Sequence, residues 1–232
     1  VCRGTLSPEA FITDQDRAEM VEGVLRCGCG ASYPVVNTIP RLLRDPFRLF
    51  PAFAARYRDR LGEVRTSQDD GRLHQQIARS RKSFGYQWTV FSEMACDFQE
   101  NFWNYLHPAT PEVFRDKVIL DAGCGFGRHI VQAAKYGSIV VGLDLSQAID
   151  STYRNTRQYQ NVHLVQGDLY AIPLADAAFD IVYSIGVLHH LPDPERGSRN
   201  LLPLLKPGGR LFVWLYSQKR PVVNFMLECV RA

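Results

Sequence analysis

Short apolar runs alternate with amphipathic stretches through the second half of the chain. The stretches between the runs predict helices near 126–136, 146–159 and 195–205, the second of them with Ser146 as its N-cap. Strands that alternate with helices are typical of a parallel sheet with right-handed crossovers. The pattern therefore predicts an α/β fold with a doubly wound, mostly parallel sheet and a ligand site at the carboxyl ends of the strands. The predicted strands are Val118–Asp121, Ile139–Leu143, Val162–Gln166, Phe179–Ile185 and Arg210–Leu215.

The same pattern divides the chain into three parts. Residues 1–45 contain short apolar pieces, glycine and cysteine, which predict a small β-module. Residues 46–110 carry helical patterns and are predicted to form a linker and a lid over the ligand. Residues 111–232 form the α/β domain. Within this domain, apolar residues recur at helical spacing over 222–230, which predicts a final helix.

A glycine run follows the first predicted strand of the α/β domain. The segment from Val118 to Arg128 reads VILDAGCGFGR. Gly123 and Gly125 allow the backbone to turn tightly and to pass close to a ligand. Asp144 ends the next strand, 21 residues after Gly123, which is the interval expected for an acidic residue that binds ribose hydroxyls. The spacing therefore predicts a nucleotide-binding cradle.

This run differs from a dinucleotide-binding fingerprint in a way that indicates the ligand. A pyrophosphate site needs GxGxxG, with backbone N–H groups aimed at phosphate, whereas this chain has GxGxG directly after Asp121 and Ala122. A carboxylate at that place repels phosphate. We therefore expect a ligand that has no phosphates and carries a positively charged end.

The ordered motifs of residues 80–216 resemble those of the class I S-adenosylmethionine (SAM) methyltransferases. The resemblance implies a Rossmann-like fold, SAM as the cofactor and methyl transfer to a small-molecule acceptor, as in the enzymes of quinone biosynthesis. The family fold has two further strands, the last antiparallel, and we expect both to be missing because the chain ends within the predicted final helix. We interpret the chain as a fragment or a truncated product. The motifs after the glycine run are GLDLS at 142–146, QGDL at 166–169, FDIVYS at 179–184 and LKPGGRL at 205–211.

The resemblance also implies which residues hold the cofactor. Asp121 accepts a hydrogen bond from the methionine ammonium, directly or through water, and Asp144 holds both ribose hydroxyls. Asp168, with the backbone of the next residue, meets the adenine amino edge. For Asp144 and Asp168 the alternative is a solvated carboxylate at a strand end. The predicted cofactor-binding set is Asp121, Gly123, Gly125, Asp144, Asp168, Leu169, Ser184, Tyr86 and Trp88.

Two further segments are candidates for the lid and the acceptor site. Tyr86 and Trp88 lie in an aromatic cluster, and they either close the cofactor pocket or pack between linker and sheet. His189 and His190 follow the fourth strand of the domain, where the resemblance places the acceptor. Either histidine is a candidate catalytic base that removes a proton from a hydroxyl or an acidic carbon. The alternative is that the pair caps or packs a helix start.

The N-terminal segment 21–43 resembles the zinc-ribbon-like module found before some methyltransferase domains. Its cysteine pair, Cys27 and Cys29, is spaced one residue short of the CxxC knuckle that lets two thiolates reach one metal ion. Cys2 has no second cysteine close to it in the sequence, so this segment provides only three thiols as possible metal ligands. The sequence therefore predicts a degenerate module without a bound metal.

Composition narrows the function classes less than the motifs do. No apolar run reaches the roughly 18 residues that a membrane helix needs, and the cysteines show no disulfide-framework spacing, so we expect a cytoplasmic protein. Residues 41–82 hold 11 basic and 5 acidic side chains, which fits a solvated helical face or a nucleic-acid contact. Two alternatives therefore remain beside a small-molecule methyltransferase: an rRNA base methyltransferase and a non-catalytic protein with the SAM fold.

Overall fold

The structure is a computed structural model that describes residues 4–62, 98–136, 138–215 and the backbone of 225–230. A six-stranded sheet has the order β10-β9-β8-β5-β6-β7, and all neighbouring pairs are parallel except β10 with β9. A smaller antiparallel sheet has the order β1-β2-β3-β4. The strands are β1 Leu6–Asp14, β2 Glu19–Cys27, β3 Ser32–Val36, β4 Ile39–Pro40, β5 Val118–Ala122, β6 Ile139–Asp144, β7 Val162–Gln166, β8 Phe179–Ile185, β9 Leu205–Leu215 and β10 Phe225–Val230.

Helices flank the large sheet on both faces. Because successive residues of a strand point to opposite faces, Ile119 of β5 belongs to one core cluster and Leu120 to the other. Strands that are buried on both faces read as continuous apolar runs, which explains why the sequence located them well. The helices of the described residues are α1 Pro46–Leu49, α2 Pro51–Arg56, α3 Arg58–Leu61, α4 Gln99–Leu106, α5 Pro111–Phe114, α6 Arg128–Ala134, α7 Ala148–Thr156 and α8 Pro194–Leu201, with 3₁₀ turns at Leu188–His190 and Leu202–Leu204. None of the described helices is long and apolar enough to cross a membrane.

The predicted fold class is confirmed: the five strands β5 to β9 are parallel neighbours in a doubly wound sheet. Several boundaries differ from the prediction, and two of them bear on the site. β9 begins at Leu205 rather than Arg210, and its pairing with β8 is irregular near Gly208, which has a φ of 75°. α7 begins at Ala148, two residues after the predicted cap, while the Ser146 hydroxyl still accepts from the Ala148 N–H at 3.2 Å.

The expected final helix over 222–230 is wrong. The backbone of Phe225–Val230 forms β10, which pairs antiparallel with β9 from Leu215 to Arg210. A short apolar run fits a helix or a strand equally well, and the pairing groups along the edge of β9 decide in favour of the strand. An antiparallel strand therefore follows β9, although the sequence analysis expected the strands beyond β9 to be missing.

The small sheet is joined to the large sheet at the outer edge of β7. Arg41, directly after β4, forms a parallel bridge with Gln166, and the Leu42 N–H donates to the Gln166 carbonyl at 2.9 Å. Ile39 is 1% exposed and belongs to the core cluster of the large sheet. Full burial of such a side chain contributes about 1.5–3 kcal/mol. The N-terminal module therefore shares both a core and a strand edge with the α/β unit.

Candidate functional site

A cavity of about 250 Å³ opens at the carboxyl ends of β5, β6, β7 and β8. The loops that leave these four strands form its walls. This is the edge where open α/β sheets place their ligands. The predicted site residues among its lining are Gly123, Gly125, Asp144, Asp168, Leu169 and His190.

The loop after β5 has the shape of a cradle because its glycines adopt backbone angles that other residues rarely take. Gly123 has a φ of 95° and Gly125 has a φ of 57°. A Cβ atom on Gly123 would lie 2.5 Å from Cγ2 of Val187, whereas a Cβ atom on Gly125 would meet nothing within 4 Å. Gly123 thus lets the loop pack against the turn after β8, and Gly125 leaves room for a ligand to approach the backbone.

Helix α7 holds the outer side of this cradle. The Thr152 hydroxyl donates to the Gly125 carbonyl at 2.6 Å, and the Asn155 side-chain amide donates to the Phe126 carbonyl at 2.8 Å. These bonds satisfy carbonyl groups of the loop, which has no strand partner there. The position of the cradle therefore depends on the position of α7.

Asp144, the last residue of β6, is tied to two loops of the cavity. Its Oδ2 accepts from the Gly125 N–H at 2.9 Å, and its Oδ1 accepts from both the N–H and the hydroxyl of Ser146 at 2.7 Å. Burial raises the pKa of the Asp144 carboxyl, while these hydrogen bonds oppose that shift. The carboxyl group lies in the cavity wall and has acceptor capacity left for ligand hydroxyls.

Asp121 and Ser184 lie beneath the cavity rather than in its lining. Asp121 is 1% exposed, and its Oδ2 has no hydrogen-bond partner within the part of the chain that the structure describes. Burial raises the pKa of Asp121 to about 8, with the nearby Tyr183 hydroxyl opposing the shift and the negative charge of Asp144 adding to it. The Ser184 hydroxyl donates to the Ala122 carbonyl at 2.8 Å, so in this structure it joins β8 to the start of the cradle.

The two histidines after β8 occupy different environments. Both lie in the 3₁₀ turn Leu188–His190, with their ring centroids 3.9 Å apart. His190 lines the cavity and is exposed, whereas His189 is half-buried and outside the lining. Burial lowers the pKa of both histidines, and the neighbouring ring of His190 lowers that of His189 further. At neutral pH both imidazoles are therefore uncharged and able to accept a proton.

Several contributors to the site were not predicted from the sequence. Phe126, Arg128 and His129 line the cavity from the start of α6, and Leu145 lines it from the loop after β6. Phe126, Arg128 and Leu145 lie inside quoted motifs, so the sequence held a weak signal for three of the four. The predicted residues Tyr86 and Trp88 lie outside the described residues, as does Cys2 of the N-terminal thiol set. Among the described residues, no group of three or more His, Cys, Asp or Glu side chains could hold a metal ion, and the expectation that no metal is bound stays a prediction.

A family model described as a methyltransferase domain matches residues 120–213, which include the cradle, Asp144, Asp168 and both histidines. The ubiquinone biosynthesis O-methyltransferase of Coxiella burnetii is 36% identical over 100 residues, which are 42% of this chain and 43% of that protein. The protein YafE of Escherichia coli is 37% identical over 115 residues, 48% of this chain and 56% of YafE. The chain thus spans less than half the length of the ubiquinone-pathway relative.

The chain also matches solved structures in its fold. A SAM-dependent methyltransferase from Aquifex aeolicus matches 66% of this chain and 76% of its own, with 17% identity and a TM-score of 0.44. Residues 120–213 therefore match a methyltransferase domain, and they lie in the doubly wound sheet described above.

Proposed function

We propose that this protein is a SAM-dependent methyltransferase that transfers the methyl group to a small-molecule acceptor. One observation carries the proposal: the Asp144 carboxyl group and the open side of Gly125 face the same cavity as Asp168, at the carboxyl ends of adjacent parallel strands. This arrangement fits a nucleoside that carries no phosphate groups. The name of the Coxiella relative, an O-methyltransferase, supports an oxygen atom on a small molecule as the acceptor.

The residues present fit SAM better than a dinucleotide. The space beside Gly125 admits a ligand against the backbone, and the buried Oδ2 of Asp121 has no partner among the described residues. A cationic ammonium group gives that oxygen a donor, directly or through water, and favours the carboxylate form, and the carboxylate form repels a phosphate. SAM, when bound, supplies a methyl group on a positively charged sulfur, which is already electrophilic.

The chain's own residues then have to orient the reactants and exclude water. Asp144 and Asp168 fix the adenosyl end, which sets the direction of the methyl group. His190, uncharged and in the cavity wall, takes the proton that an acceptor hydroxyl loses as the new bond forms. No covalent intermediate with the protein is needed for this chemistry.

Titration calorimetry with S-adenosylhomocysteine (SAH), the demethylated product, tests the proposal. We expect saturable binding with one site per chain, and no binding of NAD, whose pyrophosphate meets the Asp121 side of the cradle. Release of SAH from SAM in the presence of a panel of phenols and catechols would then identify the acceptor class. Folded protein that does not bind SAH at millimolar concentration refutes the proposal.

The raised pKa of Asp121 predicts a pH dependence of ligand affinity. This dependence should appear for a ligand that has the ammonium end and be absent for one that has only the adenosyl end. Its pKa of about 8 means that the empty folded protein holds a proton there which the unfolded chain, with the ordinary value of 3.8, has lost. The contribution of this group to stability therefore falls as the pH rises from about 4 to 8. An ammonium group favours the carboxylate, so SAH affinity should rise between pH 6 and 7.5, by at most about tenfold per pH unit.

The control for this prediction is 5′-methylthioadenosine, which lacks the amino-acid end. Its affinity should not change with the protonation of Asp121, because it has no ammonium group. Titration of the histidines or of Asp144 in the cavity would affect both ligands alike. Asp121→Asn should remove the difference between the two pH profiles. Identical profiles for both ligands in the unmodified protein would show that Asp121 does not sense the ammonium.

Three further features of the protein belong to the same proposal. In this proposal, residues 1–45 are the N-terminal module and residues 46–110 are the linker and the lid. Residues 111–232 are the catalytic domain. The four-stranded module is a degenerate zinc ribbon that has kept its β-structure, with Cys27 buried and Cys29 exposed. The reaction takes place in the cytoplasm, which fits the lack of a disulfide-framework spacing among the cysteines.

A further inference from the structure

The contact between the N-terminal module and the α/β unit is built around one buried arginine. Arg41 is 1% exposed and is among the largest fully buried side chains of the described residues. Its Nη2 donates to Asp150 Oδ1 at 2.6 Å and to the Val36 carbonyl at 3.0 Å. Its Nη1 donates to Gln166 Oε1 at 3.1 Å and to Asp150 Oδ2 at 3.2 Å. The Nε of Arg41 has no hydrogen-bond partner among the described residues, so the two Nη atoms make these bonds, and their fork geometry holds Asp150 and Gln166 in place.

The first partner, Gln166, continues the chain of contacts to the cavity. Its Nε2 donates to the Leu145 carbonyl at 3.0 Å and to the Ser146 carbonyl at 3.3 Å. Leu145 and Ser146 line the cavity, and both backbone and hydroxyl of Ser146 donate to Asp144. Because Arg41 occupies the Gln166 oxygen, the amide nitrogen is directed at this loop.

The second partner, Asp150, lies in the first turn of α7. The same helix holds the cradle through Thr152 and Asn155, which bond to the carbonyls of Gly125 and Phe126. A Cβ atom on Gly127 would lie 2.8 Å from Thr152 Cγ2, so α7 and the cradle are in close contact along this stretch. A shift of α7 therefore moves the cradle with it.

We propose that the N-terminal module is part of the cofactor site and that Arg41 is its positioning residue. Arg41 touches no ligand; it fixes the loop 144–146 and helix α7 in the arrangement that receives the adenosyl end of SAM. The inference rests on the proposed function for the identity of the ligand. It makes the module a structural component of cofactor binding rather than a separate appendage.

The test compares Arg41→Met with Arg17→Met in the full chain. Arg17 also connects the module to the α/β unit, through the Arg157 carbonyl at 2.8 Å, but it has no contact with Gln166 or Asp150. We expect the dissociation constant for SAH to rise about tenfold in Arg41→Met and to stay within about twofold in Arg17→Met. The loss should be equal for methylthioadenosine, because the affected contacts lie at the adenosyl end. A purely structural role would lower the binding stoichiometry or the melting temperature and leave the dissociation constant of the folded fraction unchanged.

Two further measurements keep the result decisive. Gln166→Met leaves the Arg41–Asp150 pair in place but removes the bonds to the 145 and 146 carbonyls together with the bond from Arg41 Nη1, so it should weaken SAH binding even if Arg41→Met does not fold. Hydrogen exchange of the Gly125 and Ser146 amides, measured without ligand, should be faster in Arg41→Met and unchanged in Arg17→Met. Folded Arg41→Met or Gln166→Met protein with wild-type affinity and exchange overturns the inference. If the unmodified protein binds no SAH, the proposed function fails, while the exchange result still decides the role of Arg41.

Discussion

Replacing Asp144 with alanine should weaken SAH binding about 10- to 100-fold. The variant loses the hydrogen bonds to the ribose hydroxyls, and bonds to a charged group are worth about 1.5–3 kcal/mol, where 1.4 kcal/mol corresponds to a factor of ten. The structure adds a second reason, because the same carboxylate accepts hydrogen bonds from the Gly125 N–H and the Ser146 N–H and so holds both loops. Calorimetry on the folded variant measures the change directly.

The matched control for Asp144 is Asp176→Asn, an acidic residue in an exposed turn away from the cavity. It should leave SAH affinity unchanged, which excludes a general effect of net charge. Asp144→Asn separates the two contributions of Asp144, because the amide keeps one oxygen for the loop but loses the charge and one acceptor. If Asp144→Ala binds SAH as tightly as the unmodified protein, the ribose is held elsewhere and the assignment of this strand end is wrong.

The strands of the large sheet could be predicted because burial on both faces leaves a simple signal in the sequence. Four of the five predicted strands match the observed ones to within one residue at each end. β10 could not be predicted, since a short apolar run has no period that distinguishes strand from helix, and its pairing depends on the position of β9. The irregular start of β9 shows the same limit: the segment 206–209 has the composition of a turn, and the register with β8 passes over it, from the pair Phe179–Leu205 to the pair Ile181–Arg210.

The site was predictable where a residue type is tied to one backbone position. Gly123 and Asp144 follow from the cradle and from the spacing to the end of the next strand, and both lie in the cavity wall. Arg41 and Gln166 are 125 residues apart, so no local pattern could connect them to each other or to the cofactor. Contacts of this kind arise only when the module is placed against β7, and a single sequence holds no record of that placement.

The histidine pair shows how the structure sharpens an ambiguous motif. The sequence left His189 and His190 equivalent as candidate bases, with packing as the alternative for both. Consecutive residues of a 3₁₀ turn point in different directions, and only His190 among the two reaches the cavity lining. His189 is half-buried against its neighbour. The structure therefore favours His190 as the base and His189 as a support for it, and both roles stay predictions.

We expect His190→Ala to lower the methylation rate roughly 10²-fold while the dissociation constant for SAH stays within a few-fold. A base that acts on the acceptor contributes only as the acceptor loses its proton, so cofactor binding is unaffected. Because burial lowers the pKa of His190, the rate of the unmodified protein at saturating SAM should be constant near pH 7 and fall only below about pH 6.5, where the imidazole becomes protonated. Initial rates of SAH release, with an acceptor identified from the phenol and catechol panel, measure both effects.

His189→Ala provides the matched control for His190, since it removes the same group one residue away and outside the cavity lining. Its rate should fall less than that of His190→Ala, and the acidic limb of the pH profile should remain. If both variants methylate at the unmodified rate, the pair is structural and the proton leaves through solvent or another group. If His190→Ala also loses SAH affinity, the turn after β8 belongs to the cofactor site, because Gly123 packs against Val187 of that same turn.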